Sequence, residues 1–303
     1  MRLNSRRCRL LAACCLALAL APGCTKSPTD TARARSIQNQ VAGSVTLEDF
    51  LNPAETFVWL EGFDLGTRAD EDGGFSLQLP DRGEQSALPG GVEGLFKLYF
   101  FNANYFIKTL DLVILNGEFV VGRGDLLTNG DLNTQPTLAN IVTIRTEIDS
   151  SEIRANYNGI LTVSVRISPV NRADTVNIVF PGLIESSQAR IFIDGIGLEK
   201  SYALTSNSFT VGEFGKEVIP EEELTSNVQV RDRPIVLNME ITWRNGLADP
   251  GEYEILPYLL IDHQEIPPAL LANLGVNSAN LLEAFRNIPF GVHAAKLNIL
   301  PAE

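Results

Sequence analysis

Apolar and polar residues alternate most regularly in the second half of the chain. Leu161, Val163, Val165 and Ile167 alternate with Thr162, Ser164 and Arg166, and Ile235, Leu237, Met239, Ile241 and Trp243 alternate with Asn238, Glu240, Thr242 and Arg244. A period of two puts each apolar set on one face of an extended strand, so both segments read as half-buried antiparallel strands. The same reading predicts strands at Val176–Phe180, Arg190–Ile193, Glu254–Ile261 and Val292–Leu300, separated in places by turns such as Asn245-Gly246 and Asp249-Pro250-Gly251. Short strands between such turns favour an immunoglobulin-like β-sandwich over residues 153–303.

Residues 267–287 interrupt that pattern. Pro268 to Leu274 ends at Gly275, and Ser278 is placed to cap a second short helix, Ala279–Arg286. Within the wider segment 266–290, Leu270, Leu271, Leu274, Leu281, Leu282 and Phe285 form an apolar helical pair. Two roles fit it, a hydrophobic patch offered to another protein and a plug over the open end of the sandwich, and the plug is favoured because an uncovered sandwich end exposes core.

The first half is also β-patterned. Phe57-Val58-Trp59-Leu60 is a short apolar strand, and Phe75, Leu77 and Leu79 share one face opposite Ser76 and Gln78 after the turn Asp72-Gly73-Gly74, so Thr67–Pro80 reads as a β-hairpin. Strands follow at Leu95–Phe101 and Phe106–Leu115, the latter ending at the Asn116-Gly117 turn before Phe119-Val120-Val121. The stretch GRGDLLTNGDLNTQP supplies turn residues in place of strand pattern, which marks residues 124–152 as a linker.

Val41-Ala42-Gly43-Ser44-Val45, Phe57-Val58-Trp59-Leu60, Thr67-x-x-Asp70-x-Asp72-Gly73-x-Phe75-x-Leu77 and Gly94-Leu95-Phe96-Lys97-Leu98 together resemble the carboxypeptidase regulatory-like domain of transthyretin-like (prealbumin) topology. The resemblance covers residues 37–121, and its most specific element is the Asp-x-Asp-Gly-x-Phe hairpin. It implies a seven-stranded sandwich over residues 37–123 without catalytic residues, of a kind that stiffens, spaces or binds. The loop from Asp81 to Glu93 is longer than that family's pattern.

The four cysteines bear on where the chain goes. Cys8, Cys14, Cys15 and Cys24 all fall in the first 24 positions, so the rest of the chain has no disulfide framework, zinc knuckle or thiol nucleophile. Arg2, Arg6, Arg7 and Arg9 precede the 12-residue apolar stretch Leu10–Ala21, which is shorter than the roughly 20 residues a membrane-spanning helix needs and reads as an export signal. Ala19-Leu20-Ala21 suits ordinary signal peptidase, but Pro22 would then follow the scissile bond, and its locked ring makes a poor substrate. Ala21-Pro22-Gly23-Cys24 resembles a bacterial lipobox, with Ala21 where that family has Leu. The resemblance implies removal of residues 1–23 and acylation of Cys24; Thr25, in place of Asp, implies sorting to the outer membrane. Several acyl chains make a stable anchor, unlike a single one. Residues 24–36 then read as a flexible tether.

The whole chain carries a formal charge of −13; residues 1–23 hold four Arg and no acid, so their removal leaves 20 Lys+Arg against 37 Asp+Glu, a charge of −17. Such a surface is a poor partner for nucleic acid or anionic headgroups.

The candidate chemistry is sparse. Counting from Asp70, position twelve of a calcium loop is Asp81 and strand lies between, so Asp70 and Asp72 read as a hairpin turn and no metal site is expected. His263, beside Asp262 and Glu265, and His293 occur in no His-Glu-x-x-His pattern, and no Gly-x-Ser-x-Gly elbow is present. Glu221-Glu222-Glu223 after Pro220 reads as the start of a solvated helical turn, and Gly122-Arg123-Gly124 lacks the rest of a phosphate cradle.

The sequence therefore predicts a mainly β, two-sandwich envelope protein that is anchored through Cys24 and carries no catalytic residues or cofactor. It would act as a binding or scaffolding module toward an envelope protein, peptide or saccharide. The alternatives are an accessory subunit of an envelope hydrolase or polysaccharide or receptor complex, and a hydrolase with its site in the C-terminal half.

Overall fold

A run of four apolar residues in an extended segment must bury both faces, and Phe57–Leu60 does so in the computed structural model of the protein. The structure describes residues 39–85, 91–171, 175–181, 189–213, 218–220, 227–277 and 281–302, all within one unit, Gln38–Glu303. The protein is mainly β.

The first sandwich is built from β1 (Gln40–Ser44), β2 (Thr46–Leu47), β3 (Phe57–Leu60), β4 (Leu65–Arg68), β5 (Gly74–Gln78), the turn of helix α1 (Arg82–Gln85), β6 (Gly94–Phe101), β7 (Lys108–Leu115), β8 (Glu118–Phe119) and β9 (Thr137–Leu138). One layer has the order β4-β3-β6-β7-β8; facing it, β1 pairs with β5 and β2 with β9. Val41, Phe75, Leu77 and Leu79 close on Val58, Leu60, Leu98, Phe100 and Leu112. Phe75 meets Phe100 edge-on across the layers, with ring centroids 5.5 Å apart.

The alternation expected at Phe75, Leu77 and Leu79 is present, but the pairing differs from a hairpin. β5 pairs with β1, in register Val41↔Leu77, while β4 pairs with β3 in the opposite layer. The Asp70–Gly74 turn is thus a corner between two sheets. Its residue types specify a tight reversal and say nothing of which strand each arm joins.

Residues 124–152 are built into both sandwiches. Leu126, Leu132 and Leu138 are buried in the first core, whereas Val142–Ile148 forms β10 of the second sandwich. Set among Asn, Gly and Asp these leucines produce no period, so the composition there reads as linker although Leu126, Leu132 and Leu138 are core.

The second sandwich continues with β11 (Glu152–Arg154), β12 (Gly159–Pro169), β13 (Val176–Val179), β14 (Ala189–Gly195), β15 (Ser201–Thr205), β16 (Ser208–Glu213), β17 (Val218–Pro220), β18 (Asn227–Val230), β19 (Ile235–Trp243), β20 (Gly251–Pro257), β21 (Leu260–Asp262), the helices α2 (Pro268–Asn273) and α3 (Leu281–Ala284), the 3-10 turn Phe285–Asn287, and β22 (Ala295–Leu300). The two main sheets run β10-β12-β19-β16-β17 and β11-β22-β20-β14-β15; β18-β13-β21 forms a smaller third. Reading β10, β12, β14, β16, β19, β20 and β22 as strands A, B, C, D, E, F and G gives A-B-E-D against G-F-C, the immunoglobulin order. The first strand is split between sheets, since β10 pairs antiparallel with β12 and β11 pairs parallel with β22.

β12 and β19 place Leu161, Val163 and Val165 opposite Ile241, Met239 and Leu237, and all six are buried in one core with Ile191, Ile193, Tyr253, Ile255 and Leu297. Near the start of β20, the Tyr253 hydroxyl donates to Asp249 O at 2.9 Å. This is the tyrosine-corner bond of Greek-key sandwiches, which ties the crossing chain to strand F. The segment read as one strand, Glu254–Ile261, is two: β20 ends at Pro257, Tyr258 and Leu259 turn inward, and β21 joins the third sheet.

Candidate functional site

The two sandwiches meet at a seam, and the helical segment fills it. β3 directs Val58 and Leu60 into the first core and Phe57 and Trp59 the other way, and Phe101 at the end of β6 lies beside them. Against that outer face pack Leu270, Leu274, Val276, Ala284, Phe285 and Ile288 from the helical segment and Phe192 and Tyr258 from the second sandwich. Phe285 stacks on Phe192 with centroids 5.2 Å apart and 15° between planes, and meets Tyr258 edge-on at 4.9 Å. The apolar pair expected over 266–290 therefore covers apolar surface of both sandwiches. Ser278, its expected cap, lies outside the described residues.

A polar ladder borders this core. Asn102-Ala103-Asn104-Tyr105 links β6 to β7, and Asn102, Asn104 and Tyr105 are 2%, 1% and 0% exposed. Ala103 N donates to Pro289 O at 2.8 Å. Gly291 N donates to both Asn102 Oδ1 and Asn104 Oδ1, at 2.9 and 3.0 Å, and Asn104 Nδ2 returns a bond to Gly291 O at 2.6 Å. Gln264 does the same for the next residues, accepting from Ile107 N at 2.9 Å and donating to Tyr105 O at 2.8 Å. Side-chain amides stand in for strand partners here, so backbone groups of both sandwiches are paired inside the seam.

Two depressions open along the seam. One, about 370 Å³, is mixed in character: Asn52, Glu55, Arg68, Asp194, Glu254 and Arg286 line it above Phe285 and Ile288. Arg68 Nη1 lies 2.9 Å from Glu55 Oε2 while its Nη2 donates to Asn287 O at 2.6 Å. Arg286 Nη2 lies 2.7 Å from Asp194 Oδ1. The guanidiniums thus serve the seam itself, and as half-exposed pairs they each contribute little stability, roughly 0–1 kcal/mol. The other depression, about 460 Å³, is mostly apolar, with Phe101, Ile261, Leu271 and Leu281 among its walls and Asp262 and Gln264 at its polar side.

The loop over the first depression, Glu48 to Thr56, is tied down by a buried phenol. Tyr105 donates its hydroxyl to Asp49, whose carboxylate oxygens lie 3.0 and 2.9 Å away. Burial, reinforced by the Asp49 carboxylate, pushes the Tyr105 phenol well above the ordinary tyrosine range.

The residues singled out in the sequence lie apart from one another. Asp70 Oδ1 accepts from Asp72 N at 3.0 Å and Gly74 N at 2.7 Å, so the aspartate of the Asp-x-Asp-Gly turn holds its own backbone. His263 packs edge-on against Phe106, with centroids 5.2 Å apart. His293 is joined to β10 through its backbone, donating to Ile144 O and accepting from Thr146 N, both at 2.9 Å. Arg123 sits in the loop that closes the first sandwich, where Leu126 N donates to Arg123 O at 3.4 Å. Cys24 and Glu221-Glu222-Glu223 lie outside the described residues. Among the described residues no three His, Cys, Asp or Glu converge as metal ligands.

The sequence reading missed Asn102, Asn104, Tyr105, Gln264 and Gly291. The available signal was Phe57-Val58-Trp59-Leu60, since an unbroken apolar strand requires a cover on its second face.

No protein-family model and no curated protein matches the chain. Among solved structures, the N-terminal domain of a Streptococcus gordonii adhesin is similar over 41% of this chain and 32% of that one, at 10% identity and a TM-score of 0.24. The likeness thus spans about a third of that chain's length, and it carries no weight for fold or function.

Proposed function

We propose that the chain is a lipid-anchored protein of the bacterial envelope, attached through Cys24, whose two sandwiches act as a non-catalytic binding or scaffolding module. The observation that supports this most is the seam. Aromatic and aliphatic side chains from both sandwiches and the helical segment form one buried cluster, flanked by paired backbone groups. A protein whose task is positional needs its parts held in a fixed relation, and loops on such a scaffold suit recognition. The resemblance of residues 37–121 to regulatory-like domains and of Ala21-Pro22-Gly23-Cys24 to a lipobox points the same way.

Labelling cells with radioactive palmitate tests the anchor: the parent chain takes up label and Cys24→Ala does not, and equal labelling of both overturns it. Crosslinking and pull-down of the mature protein from membranes test the module, with a specific envelope partner expected. Turnover of a peptide or glycan that is lost in Glu254→Gln would overturn the non-catalytic reading, because Glu254 is a carboxylate of the seam depression.

A further inference from the structure

Phe50 is 96% exposed, and its φ is +59°. Positive φ is a conformation that glycine adopts freely and a bulky side chain resists, so a phenylalanine there is an outlier on two counts. The surrounding loop enforces it. Phe50 N donates to Leu47 O at 3.2 Å, Leu51 N donates to Asp49 Oδ1 at 3.3 Å, and Asp49 is gripped by the fully buried Tyr105 hydroxyl. At the far end Ala54 N donates to Asn52 Oδ1 at 2.8 Å, and Glu55, also at positive φ (+69°), pairs with Arg68. Strain persists where the surroundings over-determine it, and the inference runs from the outlier to a function.

We propose that Phe50 is a preorganised docking anchor that inserts into an apolar pocket, rimmed by basic residues, on a protein partner. The proposal rests on the binding-module reading and names its contact. An exposed aromatic on a backbone already held in one conformation loses little backbone entropy on binding, and aromatic anchors of this kind are enriched in interface hot spots. The basic rim follows from charge. Glu48 and Asp49 precede Phe50, the depression that Leu51 and Asn52 line holds Glu55, Asp194 and Glu254 against Arg68 and Arg286, and residues 39–303 contain 17 Lys+Arg against 36 Asp+Glu. The same charge opposes insertion into an anionic membrane surface.

The test places a photo-crosslinking phenylalanine analogue at position 50 of the full chain in the cells that make it, and in parallel at the exposed positions Leu127, Ile160 and Ile196. The expected result is a protein adduct at position 50; the purified partner then binds Phe50→Gly about thirtyfold more weakly than the parent. Phe50→Gly should leave the melting midpoint unchanged or raise it by about 1–3 °C, because glycine relieves the positive φ. A drop in the midpoint makes Phe50 structural and overturns the proposal. An adduct at position 50 with lipid or with a second copy of the chain overturns it too. Adducts at the other positions but none at 50 sink the anchor while the binding-module reading stands; no adduct anywhere sinks both.

Discussion

The side-chain amide of Asn104 pairs with the backbone of Gly291 in both directions, donating from Nδ2 at 2.6 Å and accepting at Oδ1 at 3.0 Å. It is a one-residue substitute for a strand pair, made across 187 positions of sequence. Asn104→Ala leaves the Gly291 carbonyl without this donor inside the seam and should cost about 1–3 kcal/mol. Asn104→Asp should cost more, since it keeps the acceptor, removes the donor and buries a charge facing a carbonyl. Urea denaturation of the two variants ranks them, and an aspartate milder than alanine would contradict the donor role.

The seam predicts coupled unfolding. The chain has two tryptophans, Trp59 in β3 and Trp243 in β19, so each sandwich carries its own fluorescent reporter. In each single-tryptophan variant, with phenylalanine at the other site, the fluorescence transition should coincide with the circular-dichroism transition of the whole chain. Phe285→Ala removes the ring shared by Phe192 and Tyr258 and should cost about 3–5 kcal/mol. With that ring gone the fluorescence and circular-dichroism transitions of each variant should separate; transitions that still coincide would show that the seam does not couple the sandwiches.

The parts legible in the sequence are those governed by local period. Leu161, Val163, Val165 and Ile167 on β12 and their partners on β19 are buried as the alternation predicts, because a half-buried strand writes its two faces into every second residue. Partner choice has no such local signature. Asp72-Gly73-Gly74 specifies a reversal, yet β5 crosses to β1, because Val41 and Leu77 sit opposite one another on the same core face. The seam was the least legible part. Asn102 and Asn104 fall in the gap between the strands expected at Leu95–Phe101 and Phe106–Leu115, and only the arrival of Gly291 turns them into buried partners.

The Asp70 turn should behave as structure and not as a cation site. Gly73 has φ +79°, and a Cβ there would lie 2.1 Å from Val45 O, so Gly73→Ala combines a backbone clash with left-handed strain. Its cost should be about 2–4 kcal/mol. Asp70→Ala, which removes the acceptor for Asp72 N and Gly74 N, should cost about 1 kcal/mol. Neither calcium nor a chelator should move the melting midpoint of the parent; a calcium-dependent rise that Asp70→Ala abolishes would mean the turn binds the ion.

Alkaline pH should weaken the fold through its buried phenols. Burial, with the neighbouring Tyr202 adding to it, pushes Tyr253 up to about 12, and burial beside Asp49 raises Tyr105 further still. Both groups stay protonated in the folded chain after the unfolded chain has begun to ionise near pH 10. The unfolded state then binds fewer protons, so stability falls as pH rises. The stabilisation is complete below about pH 10; Tyr253 loses its share between there and about 12, and Tyr105 goes on losing beyond. Tyr253→Phe lowers stability at pH 8 by about 1 kcal/mol, through loss of the bond to Asp249 O, and makes the alkaline decline shallower. Denaturant midpoints measured from pH 8 to 11.5 test both effects. A Tyr253→Phe curve parallel to that of the parent above pH 10 would show that this phenol ionises equally readily in both states.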